Sequence, residues 1–166
     1  MPQLTQEIAQ KRPFSSIAEE ALLNLMRSAD CIQRAMQRTV RQYGITSTQY
    51  NVLRILRGAY PDALTCGAIG ERMITAEPDI TRLLSRLKGL KLVEQHRGSA
   101  DRRAVLTCIS RAGLDLLTTM EPEMKRFPQE NLGHLSNAEL VEFVRLLEAS
   151  RLRCGGPGGS PTCDGK

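Results

Sequence analysis

Tryptophan is absent from this chain, and aromatic residues of all kinds make up only 4% of it. A core must therefore be built from Leu, Ile, Val, Met and Ala, which suits packed helices better than an aromatic-rich β-sandwich. No stretch approaches the roughly 18 uninterrupted apolar residues that cross a bilayer. The opening M-P-Q-L-T-Q-E-I-A-Q-K-R-P also lacks the apolar segment of a secretory signal, so a cytoplasmic location and no membrane partner are expected. Histidine is scarce: only His96 and His134 are present. A Ser/His/acid or Cys/His arrangement would need one of them, and neither lies near a strained nucleophile turn. They read as surface or cap residues. Phosphate loops of the types G-x-x-x-x-G-K-S/T and G-x-G-x-x-G are missing. The acid pairs Glu19/Glu20, Glu121/Glu123 and Glu139/Glu142 fall on polar helix faces, where they serve solubility or capping. These absences argue against an enzyme, and no cofactor is implied. The five cysteines, at positions 31, 66, 108, 154 and 163, form neither an even set nor a C-x-x-C pair. A disulfide framework and a zinc site therefore have no support; the thiols read as reduced, with Cys31 as a packing residue.

What is present points to one helical domain. A length of 166 residues is enough for one ordinary core, and 41% hydrophobic with 25% charged residues excludes a disordered chain. The formal net charge is +5, and its distribution is uneven. From Arg82 to Arg111 there are eight basic residues against two acidic ones, Glu94 and Asp101, a surplus of six. The rest of the chain carries fifteen against sixteen, so the whole positive excess sits in one segment. A phosphate backbone attracts such a surface, although a solvated helix face has the same composition.

Helical spacing of apolar residues begins at Ser16, which forms a capping box with Glu19, and runs for about 28 residues to Tyr43, with Gly44 as its end. At 1.5 Å per residue such a helix exceeds a small core, and part of it is expected to pack on another subunit. Thr46 and Gln49 open a second helix, and Thr65 caps a short third one containing Gly67 and Gly70. Each glycine costs a helix about 1 kcal/mol relative to Ala, so only close packing would justify them. A fourth helix starts near Pro78, expected in its first turn, and turns Ile80, Leu83, Leu84 and Leu87 inward. Asp79, Thr81, Arg82, Ser85, Arg86 and Lys88 are left outside. Two short strand-like runs, K-L-V-E-Q-H-R and A-V-L-T-C-I, flank G-S-A-D-R-R and read as a hairpin. Ser110 opens a further helix, expected to be interrupted or kinked at Pro122 and to end near Pro128. Ser136 and Glu139 cap the last helix, with Leu140, Val144 and Leu147 as its stripe.

Two short helices followed at once by a basic hairpin form a winged helix-turn-helix, whose second helix enters the major groove of DNA. The fold class expected is mainly α with a small β-hairpin wing and long dimerisation helices. Thr81, Arg82, Ser85 and Arg86 are side chains of the kind that read base edges, and Arg102 with Arg103 would lie along the backbone or in the minor groove. A plainer reading pairs Arg82 or Arg86 with Asp79 or with phosphate, and makes Asp101 only a turn former.

The segments I-T-S-T-Q-Y-N-V-L-R-I-L, I-G-E-R-M, P-D-I-T-R-L-L-S-R-L-K-G-L-K-L-V-E-Q and D-R-R-A-V-L-T-C-I-S-R-A-G, in this order, resemble the MarR family of bacterial transcription regulators. The resemblance spans about Thr46 to Gly113. It implies a homodimer acting on double-stranded DNA, with a flexible N-terminal arm at 1–13, a first dimerisation helix at 14–45 and a winged lobe at 46–109. C-terminal dimerisation helices follow at 110–153, and a disordered Gly/Pro-rich tail at 154–166. Arg103 matches the family's minor-groove arginine, Asp101 the acid that steadies it, and Thr81, Arg82 and Arg86 the recognition-helix face. The tip R-G-S-A-D departs from the family in being short. A repressor released by a small aromatic or phenolic effector is implied. Regulation through a cysteine and non-specific architectural binding stand as alternatives, with Cys31 lying mid-helix rather than near the helix start as in oxidant-sensing members.

The basic segment carries a prediction of its own. DNA binding by this chain should weaken by about a thousandfold or more between roughly 50 and 200 mM salt, because each neutralised phosphate releases counterions. Affinity measured along a salt series checks this; a flat response would separate the basic segment from DNA.

Overall fold

The structure, a computed structural model, describes residues 3–98 and 104–152. The elements run in the order α1 (Gln3–Glu7), α2 (Ile17–Arg41), α3 (Ser47–Ala59), β1 (Leu64–Thr65), α4 (Cys66–Gly70), α5 (Ile80–Gly89), β2 (Val93–Arg97), β3 (Val105–Ile109), α6 (Arg111–Leu132) and α7 (Asn137–Arg151). Asp101, Arg102, Arg103 and the tail at 154–166 lie outside the described residues.

Helix starts are set by side-chain oxygens that take up N–H groups with no partner inside the helix. Thr46 and Ser136 complete the expected capping boxes with Gln49 and Glu139. Thr65 accepts from the Ala68 N–H at 3.2 Å. Ser16 caps α2 as expected, accepting from the Glu19 N–H at 3.1 Å. The Glu19 carboxylate, however, turns to Ser15, accepting from its hydroxyl and its N–H, both at 2.6 Å. These bonds hold it below the usual carboxylate range. Helix α2 ends at Arg41, two residues short of the expected Tyr43, and Gly44 with φ +76° turns the chain toward α3.

Three other expectations are corrected. Pro78 lies outside α5, because Asp79 is the N-cap. Pro122 and Pro128 do not interrupt α6, which runs through both to Leu132. A proline costs a helix about 3 kcal/mol, but Leu117, Met120 and Phe127 are buried along α6, and their packing holds the helix together across both sites. The arm at 1–13 contains the short helix α1, with Leu4 buried and Glu7 3.5 Å from Arg27 of α2.

The sheet has the order β1-β3-β2, all antiparallel, with Val93 opposite Ile109 and Arg97 opposite Val105. Strand β1, two residues long, was not expected; it pairs Leu64 with Thr107 and so ties the start of α4 to the hairpin. The core draws on most elements: Val40 of α2, Val52, Leu53 and Leu56 of α3, Ile69 of α4, Leu87 of α5, and Leu117 and Met120 of α6 are all fully buried. No helix among the described residues is long and apolar enough to cross a membrane.

The junction between α5, the hairpin and α6 is tightly specified. At the end of α5, Leu92 N–H donates to Leu87 O at 3.0 Å and Lys91 N–H to Lys88 O at 2.9 Å. This is the Schellman ending, whose turn residue is normally glycine. Here it is Lys91, at φ +59°, and its carbonyl accepts the Ser110 hydroxyl at 2.7 Å. At Gly113 a Cβ would run into the Leu92 carbonyl oxygen and lie 2.7 Å from Ile109 Cγ1. Only glycine lets α6 begin so close to the hairpin.

These two positions predict stability changes of opposite sign. Lys91→Gly should stabilise the fold by about 1 kcal/mol by relieving the left-handed backbone, whereas Gly113→Ala should destabilise it by about 1–3 kcal/mol through overpacking. Denaturant unfolding of both variants checks the pair.

Candidate nucleic-acid interface

Helix α5 is built to bury one face and show the other. Asp79 accepts the Arg82 N–H at 2.9 Å and so fixes where the helix begins. Leu83, Leu84 and Leu87 are buried, and Ile80 packs against the same cluster. Because helix neighbours recur every 3.6 residues, this leaves Thr81, Arg82, Ser85, Arg86 and Lys88 exposed, as expected. The plainer reading, in which Asp79 neutralises Arg82 or Arg86, does not describe the geometry: the carboxylate is used by a backbone N–H. Among the described residues no carboxylate pairs with Arg82, Arg86, Lys88, Lys91 or Arg97. Arg111, counted in the basic segment, does pair, with Asp115 at 3.0 Å. The unneutralised charge therefore lies on α5 and the hairpin rather than on α6.

The hairpin brings a second group of residues alongside. Gly98 N–H donates to Ala104 O at 2.9 Å, one step beyond the last strand pair. Arg97 is exposed at that end of β2, a position the sequence reading counted only as charge. The expected wing residues Asp101, Arg102 and Arg103 lie outside the described residues. His96 is exposed on β2, and His134 is exposed beyond α6.

Two contacts around α5 were not legible beforehand. Thr81 Oγ1 lies 3.9 Å from Cys66 Sγ on α4. The Ile74 N–H, in the connection before α5, donates to Asn51 Oδ1 of α3 at 3.1 Å. Both tie the helix that carries the exposed face to the helices beneath it.

The terminal helices present a different surface. On α2 only Val40 is buried, and Ile17 is 80%, Leu22 57% and Met26 61% exposed. No residue of α7 is buried; Val144 of its expected stripe is exposed, while Leu140 and Leu147 are half-buried. Cys31, expected as a packing residue, is exposed instead. Just past the end of α2, the Tyr43 hydroxyl at 2.7 Å and Gln42 Nε2 at 2.6 Å both donate to Glu123 of α6. The bond to Glu123 raises the Tyr43 phenol above its ordinary value.

No protein-family model matches the chain. It is 25% identical over 126 residues to the HTH-type transcriptional regulator MhqR of Bacillus subtilis (strain 168), covering 75% of this chain and 84% of that protein. Among solved structures, it is 27% identical to Bordetella bronchiseptica BpsR, whose DNA binding is regulated by 6-hydroxynicotinic acid. That match covers 84% of this chain and 97% of BpsR at a TM-score of 0.73. It is 36% identical to a MarR transcription factor from Planctomyces limnophilus, over 82% of this chain and 99% of that one, with a TM-score of 0.64. Likeness of sequence and backbone over nearly the whole of that protein goes beyond a shared fold, and the chain belongs to the MarR family of transcription regulators.

Proposed function

We propose that this chain is a sequence-specific regulator that binds double-stranded DNA as a homodimer on a pseudo-palindromic operator, acting as a repressor that a small aromatic or phenolic ligand releases. The observation that carries the reading is the exposed face Thr81, Arg82, Ser85 and Arg86, held outward by a buried leucine stripe and without carboxylate partners among the described residues. Arginine forks suit guanine edges, and hydroxyls suit several bases. Arg103 enters the minor groove beside this helix, Arg102 lies along the backbone, and Asp101 steadies Arg103. Regulation of BpsR by 6-hydroxynicotinic acid supports a ligand response.

Dimerisation is supported by the terminal helices, on which Ile17, Leu22, Met26 and Val144 are exposed among the described residues. Burying one such side chain fully contributes about 1.5–3 kcal/mol, and α2 and α7 offer several. A two-fold dimer then carries two recognition helices, matching half-sites about one helical turn apart. An architectural binder would need the positive charge but not the Thr/Arg/Ser face.

Sedimentation at micromolar concentration should show a dimer, and a monomer would refute the assembly. On a panel of single-base operator variants, Arg82→Ala or Arg86→Ala should cost about 1–3 kcal/mol at particular base positions. Arg103→Ala should lose affinity more evenly across the panel, because the minor-groove code is degenerate. Equal affinity of the natural chain for operator and random DNA would favour the architectural reading.

A further inference from the structure

Helix α4 is only five residues long, yet two of its residues one turn apart, Cys66 and Gly70, meet two consecutive residues of α5. Residues at i and i+4 share a helix face, so Cys66 and Gly70 form one short docking edge. At its C-terminal end, a Cβ on Gly70 would come within 2.7 Å of Ile80 Cδ1, closer than packed carbons approach. The cost of a glycine inside a helix is therefore explained here by contact. Gly67 has no such contact: its Cβ position is 4.0 Å from Thr65 Oγ1. At the other end of the edge, Cys66 Sγ faces Thr81 Oγ1 at 3.9 Å.

Ile80 and Thr81 are consecutive, so their side chains leave α5 about 100° apart. Two anchors that far apart around the axis fix the rotation of α5, which a single contact could not do. The two contacts also differ in kind. The Ile80 contact is steric: a methyl group added at Gly70 would force the end of the Ile80 side chain to shift. The Cys66 contact is a weak sulfur–hydroxyl interaction, which biases the orientation of the Thr81 hydroxyl and leaves it at least one acceptor lone pair.

We propose that Gly70 and Cys66 are positioning residues for sequence reading: acting through Ile80 and Thr81, they set the rotation of α5 and hence its base preference. This rests on the DNA-reading function proposed above. Neither residue belongs to the exposed reading face, so the two ideas fail separately.

The test is selection of sites from a randomised duplex library by the full chain, with affinity for random DNA and thermal unfolding measured alongside. Gly70→Ala should lower discrimination at one or more positions of each half-site by about fivefold or more, with affinity for random DNA unchanged. Adding Ile80→Val, which removes the crowded Cδ1, should restore the natural profile. Cys66→Ala should reduce discrimination at the position that Thr81→Val affects, and should add nothing in the Thr81→Val background. Alanine favours a helix over glycine, so Gly70→Ala is expected to fold; if it does not, the Cys66→Ala cycle decides. Natural base preference retained in both Gly70→Ala and Cys66→Ala, whatever happens to stability, would overturn the proposal. A natural chain that selects no sequence would instead overturn the reading function beneath it.

Discussion

Burial of Leu83, Leu84 and Leu87 is the constraint on which the rest of the molecule turns. A helix of ten residues can hide only one face, and once these leucines join Ile69 and the α3 stripe in the core, Thr81, Arg82, Ser85 and Arg86 have nowhere to go but outward. The surrounding elements serve that placement. Asp79 fixes where the helix starts, the left-handed Lys91 fixes where it stops, and α4 limits how it can roll. Strand β1 then ties α4 to the hairpin. The energy that orients the polar face comes from the apolar one.

Much of this was legible in the sequence because it is local. Capping depends on residues three apart, and Thr46, Thr65, Ser110 and Ser136 all cap where their spacing indicates. The amphipathic pattern of α5 gave the right exposed face because the buried residues recur at helical spacing. What escaped depends on distant partners. The use of Gly70 becomes clear only when Ile80 is brought against it. Strand β1 is too short to show alternation, and it exists because β3 lies beside it. The prolines of α6 break a helix in isolation, but packing at Leu117, Met120 and Phe127 outweighs them. Asp79 was read as one more polar residue on the outer face, yet its cap displaces Pro78 from the helix.

The terminal helices show where a single chain stops explaining its own sequence. They carry apolar residues too, yet Ile17, Met26 and Val144 face solvent. Periodicity reveals that a face is apolar, not which molecule covers it. The exposed faces are the ones that the proposed dimer would cover. Cys31 is likewise exposed rather than packed in a core. The hydrogen bonds from Gln42 and Tyr43 to Glu123 join the segment that follows α2 to α6.

The central claim is that the α5 face enters the major groove. Methylation of guanine N7, which projects into that groove, tests it directly when interference is mapped on a bound site selected from genomic fragments. The account predicts interference at guanines in two segments about one helical turn apart, and loss of part of that pattern in Arg82→Ala or Arg86→Ala. Binding indifferent to N7 methylation throughout the protected site, in the natural chain and in both variants alike, would contradict it.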